Sequence, residues 1–323
     1  MRVLVTDPII SRFASLLAPD GGHEVVLAAG RPDEEIVAAL PGTEVLVCSR
    51  MTEAMACAAG PELRLVQCTG AGYERIAIDV LPRGTAVCNT FHHGRSIAEH
   101  VAMVMLMLSR RVLRRDRLVR DGVWESVSVD PGLPLGDTLA GRTVGLLGLG
   151  ETGREVARLA AVLGMRVQAM RRDPSAPLED GLRLDRVLPP DGLHELLASS
   201  DAVVVTVPLN EHTRGLIGAA ELDLMRPDAF LINVARGPVV DEQALYEALA
   251  AGRIGGAGID VWWPGEGGTG RGGSTMPFEK LDNVVLTPHN SGHTVETFQS
   301  RARDIAANIA ALAEGRPLRN LIR

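Results

Sequence analysis

The stretch Gly148-Leu-Gly150-Glu-Thr-Gly153 decides the fold of this chain. An apolar run, Val144-Gly-Leu-Leu147, precedes it, and a helical pattern follows it. In such a turn the first glycine permits a tight bend, the second lets the backbone approach a pyrophosphate, and the third lets the helix pack closely on the sheet. The helix N-terminus then offers N–H groups to the phosphates. The stretch predicts a dinucleotide-binding βαβ unit; the alternative is a tight strand–helix turn without a ligand.

The residues after the turn support a helix. Apolar residues recur at helical spacing from Val156 to Leu163, and Gly164 stands where a C′ glycine ends a helix. We predict that all six turn residues contact the cofactor: Gly148, Leu149, Gly150, Glu151, Thr152 and Gly153.

The end of the next strand indicates which nicotinamide cofactor is used. Enzymes that use NAD place an acid about 20 residues after the glycine turn, where it binds the ribose hydroxyls. Here the strand that ends at Met170 is followed by Arg171 and Arg172, and Asp173 comes only afterwards. Two arginines favour a 2′-phosphate, so we predict NADP. The alternative is NAD, with both arginines in solvent and Asp173 reaching back to the ribose.

Short apolar runs alternate with helical patterns along the whole chain, which is typical of parallel sheets covered by helices on both faces. The fold class is therefore α/β, with two doubly wound parallel sheets. The predicted strands are Val3–Val5, Val45–Val47, Leu65–Cys68, Ala86–Cys88, Val144–Leu147, Val167–Met170, Ala202–Val207, Ala229–Asn233, Gly256–Ile259 and Val284–Leu286.

The central position of the glycine turn indicates an inserted domain. Ser96-Ile-Ala-Glu99 reads as a capping box that opens a strong helix. A final helix, with Ile305 and Ile309 on its apolar face and Gly315 as its stop, returns to the first domain. We predict a substrate domain built from residues 1–95 and 290–323, and a cofactor domain spanning residues 96–289 that includes the linker helix.

Composition limits the function classes. The chain has 323 residues, 46% of them hydrophobic, and a net charge of −7, which argues against nucleic acid as a partner. Arg110 to Arg120 holds six arginines, which we interpret as a solvated helix face. No uncharged apolar run approaches the roughly 20 residues of a membrane span. The four cysteines lack metal-ligand spacing and are predicted to be buried thiols, so we expect a cytoplasmic protein without a metal site.

Two side chains that follow predicted strands are suited to catalysis. Arg236 follows the strand that ends at Asn233, and its planar fork suits a carboxylate. His289 follows another strand and a proline, and an imidazole can donate or accept a proton near neutral pH. Ligands bind at the carboxyl ends of strands in open α/β sheets, so both residues are candidate catalytic residues.

Several further motifs, in order, resemble the D-isomer-specific 2-hydroxyacid dehydrogenase family, which includes formate and phosphite dehydrogenases. They are Gly70-Ala-Gly72, Val87-Cys-Asn89, Ile97-Ala-Glu99-His100, Thr138-Leu-Ala-Gly141, Val207-Pro-Leu-Asn-Glu-His-Thr213, Asn233-Val-Ala-Arg236-Gly237, Gly258-Ile-Asp260 and Thr287-Pro-His289. The resemblance implies a Rossmann cofactor domain inserted into a flavodoxin-like substrate domain. It also implies hydride transfer between NAD(P)H and a small anionic 2-oxo or 2-hydroxy acid, and a homodimer.

The resemblance extends to individual residues. It implies that Ala71 and Gly72 offer backbone N–H groups to the substrate carboxylate. Arg50, which follows a strand, is a candidate for a second anionic group of the substrate. The further cofactor contacts that the resemblance implies are Val207, Pro208, Thr213, Val234, Ala235, Asp260, His289 and Gly292.

The glutamate expected beside His289 is displaced by one residue in this chain. The family places a glutamate five residues after the aspartate that corresponds to Asp260, where this chain has Gly265; Glu266 comes next. We predict that Glu266 takes the role of that glutamate and raises the pKa of His289; the alternative is an ordinary loop acid. Reduction needs the imidazolium, so Glu266→Gln should shift the pH optimum of reduction towards acid, and an unshifted pH profile would contradict the assignment.

Two alternatives remain open at this stage. One is a formate or phosphite dehydrogenase, although formate dehydrogenases carry glutamine in place of the glutamate. The other is a non-catalytic nucleotide-sensing protein, against which Arg236 and His289 argue. Residues 265–273 are rich in glycine, which favours a mobile loop over an anion-binding one.

Overall fold

The computed structural model describes residues 1–18, 21–263 and 273–323. Contacts divide the described chain into two compact units. The first unit comprises Met1–His92 and His293–Arg323, and the second comprises His93–Gly292. The second unit is therefore one continuous segment, whereas the first is assembled from two segments on either side of it.

The first unit is built on a parallel sheet of β1 (Arg2–Val5), β2 (Glu24–Leu27), β3 (Val45–Cys48), β4 (Leu65–Cys68) and β5 (Ala86–Cys88). The strand order is β2-β1-β3-β4-β5, which is the flavodoxin-like order. Its helices are α1 (Asp33–Ala39), α2 (Glu53–Ala58) and, after the second unit, α9 (Val295–Ala313). Shorter 3-10 segments lie at Ile10–Leu16 and Ile78–Val80.

Both faces of this sheet are buried. Leu4, Leu46 and Val66 point to the face that is covered by α1 and α2. Val3 and Val5 point to the opposite face, where Ile305 and Ile309 of α9 are fully buried. Burial of one such isoleucine contributes about 1.5–3 kcal/mol. Helix α9 therefore supplies a large share of one of the two cores of the unit.

The second unit holds a parallel sheet of seven strands. They are β6 (Thr143–Leu147), β7 (Arg166–Met170), β8 (Arg186–Leu188), β9 (Ala202–Val205), β10 (Phe230–Asn233), β11 (Gly256–Ile259) and β12 (Val284–Leu286). The helices of the unit are α3 (Gly94–Ser109), α4 (Val112–Arg120), α5 (Glu151–Val162), α6 (Leu193–Ser199), α7 (Ala219–Leu224) and α8 (Glu242–Ala250). Further 3-10 segments lie at Pro190–Gly192, Gly237–Val239 and Phe278–Lys280.

The strand order of this sheet is β8-β7-β6-β9-β10-β11-β12. Counted within the unit this is 3-2-1-4-5-6, the Rossmann order, with one more strand at the edge. The order reverses between β6 and β9, which is where such sheets bind ligands. The predicted fold class, with a Rossmann sheet and a flavodoxin-like sheet, is confirmed.

All ten predicted strands are present, although six of them begin or end a residue or two away from the prediction. Strands β2 and β8 are not predicted from the sequence; both are edge strands of their sheets. Both strands are only partly covered: Glu24 and Leu27 are exposed, and so is Arg186. Apolar runs identify central strands better than edge strands.

The linker helix begins two residues before the predicted capping box. Helix α3 starts at Gly94, and Ser96 donates a hydrogen bond from Oγ to the carbonyl of Ser291 at 2.6 Å. Glu99 pairs with Arg95 one turn away, at 2.8 Å. The capping-box interpretation is therefore wrong, because both side chains have other partners. The arginine run does not continue α3. A break at Arg111, whose φ is 49°, separates α3 from α4.

The cysteines differ from one another. Cys48, Cys68 and Cys88 are buried thiols, and burial raises the pKa of Cys68 to about 12. Cys57 is exposed on α2, so the prediction of burial is wrong for this residue, which lies on the outer face of a short helix. Within the described ranges, no helix has the length and apolar character needed to cross a bilayer.

Candidate active site

One edge of the seven-stranded sheet carries most of the predicted cofactor-binding and catalytic residues. Because the strands are parallel, their carboxyl ends share that edge. The residues that follow β6, β7, β9, β10, β11 and β12 there are, respectively, Gly148, Arg171, Val207, Arg236, Asp260 and His289.

The glycine turn has the geometry that its sequence predicts. Gly148 has a φ of 105°, in the region that favours glycine. A Cβ on Gly153 would lie 2.3 Å from the carbonyl oxygen of Gly148, so only glycine lets α5 approach β6 this closely. Thr206, just after β9, donates a hydrogen bond to that same carbonyl at 3.0 Å. The sequence places Thr206 only in a predicted strand, without a role in the turn.

The outer side of the turn suits a phosphate. Gly150 is the N-cap residue of α5, and no side chain caps the helix there. A Cβ at Gly150 would meet no atom within 4 Å, so the backbone is open on that side. Free N–H groups and the positive end of the helix dipole attract anions. The turn therefore fits the pyrophosphate of a dinucleotide, whereas the side chain of Leu149 is buried in the core.

The residues after β7 are arranged as a small basic loop. The guanidinium of Arg171 donates through Nη2 to the carbonyls of Pro174 and Ala176. Its Nε is buried and has no hydrogen-bond partner in the part of the chain that the structure describes. Arg172 is exposed. The carboxylate of Asp173 accepts hydrogen bonds from the backbone and side chain of Ser175, which lower its pKa.

Arg236 sits at the end of a turn that Asn233 shapes. The amide oxygen of Asn233 accepts a hydrogen bond from the N–H of Ala235, and its Nδ2 donates to the carbonyl of Arg236 at 3.0 Å. The guanidinium is half-buried and donates to the carbonyl of Ala235 at 2.7 Å. A Cβ on the next residue, Gly237, would lie 2.3 Å from the carbonyl oxygen of Trp262. The Arg236 backbone is thus fixed from both sides.

His289 lies in a turn that Asp260 holds. The backbone of His289 is left-handed, with a φ of 53°, and its side chain is half-buried. Asp260 is 1% exposed and accepts hydrogen bonds from the Thr287 hydroxyl at 2.6 Å and from the N–H groups of Asn290 and Ser291 at 3.0 and 3.1 Å. Burial raises the pKa of Asp260, but these hydrogen bonds outweigh it, so the pKa lies below its ordinary value.

The other predicted cofactor contacts lie in the same unit. The hydroxyl of Thr213 donates to the carbonyl of Pro208 at 2.6 Å, which closes the loop after Val207. Val234 and Ala235 are buried. Gly292 faces the first turn of α3, where a Cβ would lie 3.3 Å from Cβ of His93.

The predicted substrate residues follow strands of the first unit. Arg50, after β3, forms a two-point ion pair with Asp33, at 2.6 and 2.9 Å, which lowers the pKa of Asp33. The carbonyl of Ala71, after β4, accepts a hydrogen bond from Nδ2 of Asn89 at 2.8 Å. Gly72 follows in the same loop. The fork of Arg50 is therefore already engaged by a carboxylate.

Glu266 and most of the glycine-rich segment lie outside the described residues. The described residues on either side of that segment are joined, because Trp263 donates its backbone N–H to the carbonyl of Gly273 at 3.1 Å. Trp262 donates its indole N–H to the carbonyl of Thr287 at 3.0 Å. In the described ranges, no group of three or more His, Cys, Asp or Glu side chains is placed to hold a metal ion.

Comparison with known proteins agrees with these features. Residues 102–291 match the description "D-isomer specific 2-hydroxyacid dehydrogenase, NAD binding domain". A D-3-phosphoglycerate dehydrogenase of Archaeoglobus fulgidus is 35% identical over 327 residues, which span 100% of this chain but only 59% of that protein. A glyoxylate reductase of Korarchaeum cryptofilum is 37% identical over 82% of this chain and 77% of its own length.

A solved structure supports the same relationship. The TT0316 protein of Thermus thermophilus superposes with a TM-score of 0.82 at 30% identity, and the match covers 100% of both chains. This likeness, the matching family description and the two strand orders show that the chain belongs to the D-isomer-specific 2-hydroxyacid dehydrogenase family of NAD-binding oxidoreductases.

Proposed function

We propose that this protein reduces a small 2-oxo acid to the D-2-hydroxy acid, with Arg236 binding the substrate carboxylate and His289 supplying the proton. One observation carries the proposal. A phosphate-binding turn, a guanidinium and an imidazole follow strands of the same sheet and so share its carboxyl edge. Anion binding, carboxylate binding and proton transfer are the three tasks that this reaction divides among protein groups.

Each residue has a defined task in the reaction. The reduced nicotinamide, when bound, supplies the hydride to the carbonyl carbon. Arg236 holds the carboxylate through its planar fork and polarises the neighbouring carbonyl. As negative charge develops on the carbonyl oxygen, protonated His289 donates its proton there and becomes neutral. In the oxidative direction neutral His289 accepts the hydroxyl proton.

A panel of 2-oxo acids tests this function. The relatives include a protein named glyoxylate reductase and one named D-3-phosphoglycerate dehydrogenase. Low aromatic content, at 3%, favours a small substrate, so glyoxylate and hydroxypyruvate should be turned over with NADPH or NADH. Turnover of formate or phosphite alone would favour the other branch of the family, and binding of NADPH without any turnover would favour a nucleotide sensor.

We propose further that the cofactor is NADPH. The buried Nε of Arg171 and the exposed Arg172 are placed after β7, and Asp173 is engaged by Ser175. Arg172→Ala should therefore lower the ratio of kcat/KM for NADPH to that for NADH by about tenfold, the loss expected for one charge-assisted contact.

Arg183→Ala, an exposed arginine in the same unit, serves as the matched control and should leave that ratio unchanged. If the wild-type enzyme prefers NADH, the proposed use of NADP is wrong.

The roles of Ala71 and Gly72 in binding the substrate remain part of this proposal. Arg50 carries less weight, because a second anionic group would have to replace Asp33 at its guanidinium.

We also propose that the protein is a homodimer formed through the second unit. Large apolar side chains are exposed on α4 and just after it: Val112, Leu113, Val119, Val123 and Trp124. Exposed apolar groups of this kind favour association. Trp124, which is 71% exposed, should be central, so Trp124→Glu should convert a dimer to a monomer in analytical ultracentrifugation.

Val162→Glu is the control for the dimer, because Val162 is 81% exposed on another helix of the same unit. This variant should remain dimeric. A monomeric wild-type protein at micromolar concentration would exclude the proposed interface.

A further inference from the structure

Thr287, two residues before His289, is the centre of a hydrogen-bond chain. Its backbone N–H donates to the carbonyl of Ile259 at 3.0 Å, and its own carbonyl accepts from the indole of Trp262 at 3.0 Å. Its hydroxyl donates to Asp260 at 2.6 Å. Every polar atom of Thr287 therefore has a partner, so this residue anchors the start of the turn that carries His289.

His100 extends this chain from helix α3. Its Nε2 lies 3.4 Å from the hydroxyl oxygen of Thr287. The one hydrogen of that hydroxyl is directed at the carboxylate of Asp260, so the oxygen can only accept from the ring. His100 must therefore carry its hydrogen on Nε2, and the chain runs in one direction, from His100 through Thr287 to Asp260.

The environment of His100 is compatible with that role. The ring is half-buried between α3 and the turn after β12. Burial lowers the pKa of His100 and the charge of Asp260 raises it, with burial the larger effect. The lowered pKa favours the neutral ring, which has one N–H and one bare nitrogen.

The other end of the chain holds the residues around His289. Asp260 accepts the N–H groups of Asn290 and Ser291, the two residues that follow His289. Between them and Thr287, His289 has the left-handed backbone with a φ of 53°. A residue other than glycine keeps that conformation only where its surroundings impose it. The hydrogen bonds from both sides of His289 converge on the one carboxylate of Asp260.

We propose that His100 is a positioning residue for His289, acting through Thr287 and Asp260 on the turn formed by residues 287–291. His100 itself need not touch the substrate or the cofactor. Its contribution to catalysis rests on the proposed function, in which His289 transfers the proton. Its contribution to the turn does not depend on that function.

A double-mutant cycle tests the chain, with amide hydrogen exchange as the first readout. Thr287→Val keeps the shape of the side chain and removes both hydrogen bonds of the hydroxyl. It should increase exchange at the amides of Asn290 and Ser291 by about tenfold to a hundredfold, the usual range for loss of a hydrogen bond to a charged group. His100→Leu should increase it by about threefold to tenfold, and the double variant no more than Thr287→Val alone.

Further variants and measurements make the test specific. His100→Gln can donate to Thr287 and should restore slow exchange, whereas His194→Leu, at an exposed histidine, should change nothing. Amides of β9 must stay protected in every variant, which excludes general unfolding. In the reduction assay kcat should fall in His100→Leu and recover in His100→Gln, whereas His194→Leu should keep the wild-type kcat.

The outcomes separate the two proposals. Unchanged exchange at Asn290 and Ser291, additive effects in the cycle, or failure of His100→Gln to restore exchange would each overturn the positioning chain, even in an active enzyme. If exchange responds as expected but the wild-type protein reduces no 2-oxo acid, the chain stands and the proposed function fails.

Discussion

Replacement of His289 by asparagine is expected to lower kcat for 2-oxo-acid reduction by about 10²- to 10⁴-fold, the contribution of a positioned general acid. Asparagine keeps a polar group of similar length and tolerates the left-handed backbone found at this position, where φ is 53°. The turn should therefore keep its shape while the proton donor is lost. NADPH binding, followed by fluorescence titration, should change only by a few-fold.

The matched control for that experiment is His194→Asn. His194 is an exposed histidine of α6, with 69% of its side chain accessible, and it lies 3.7 Å from Glu221. This variant should retain the wild-type kcat. A His289→Asn variant with more than half of the wild-type kcat would remove His289 from the reaction and leave the source of the proton open.

Arg236→Lys should lower kcat/KM for the 2-oxo acid by about 100-fold, because an ammonium group cannot replace the two parallel hydrogen bonds of a guanidinium to a carboxylate. Both parameters should change: KM should rise because carboxylate binding weakens, and kcat should fall because the carbonyl is less polarised. Steady-state kinetics with glyoxylate as substrate measures both effects.

Arg253→Lys controls for the general effect of exchanging an arginine in the same unit. Arg253 forms an ion pair with Asp223 on the surface, where such pairs contribute little. Its substitution should leave kcat/KM unchanged. If Arg236→Lys behaves like Arg253→Lys, the substrate carboxylate is bound by another group.

Much of the fold could be predicted because its signals are local. The glycine turn and the continuous apolar runs identify parallel strands, and the carboxyl ends of those strands then indicate where ligand-binding side chains lie. Strands β2 and β8 were not predicted because they are edge strands with exposed residues. The start of α3 was misplaced because the side chains of Ser96 and Glu99 have partners other than the helix end.

The site was less predictable because its supports join distant parts of the chain. Arg236 and His289 could be chosen from the strands before them. The hydrogen bond between Thr287 and Asp260 joins residues 27 positions apart, and that between Thr287 and His100 joins residues 187 positions apart. Asp260 is a predicted cofactor contact, and the structure adds that both its oxygens accept hydrogen bonds from the turn around His289. Only the tertiary structure reveals such pairs.

The order of the segments has a consequence for synthesis on the ribosome. The second unit is the continuous segment His93–Gly292, so it can fold as soon as it has emerged. The first unit cannot, because Ile305 and Ile309 of α9 fill the core behind Val3 and Val5. Its first 92 residues must therefore wait, with apolar strands exposed, while about 200 more residues are translated. A nascent chain of this protein should need chaperone protection during that interval.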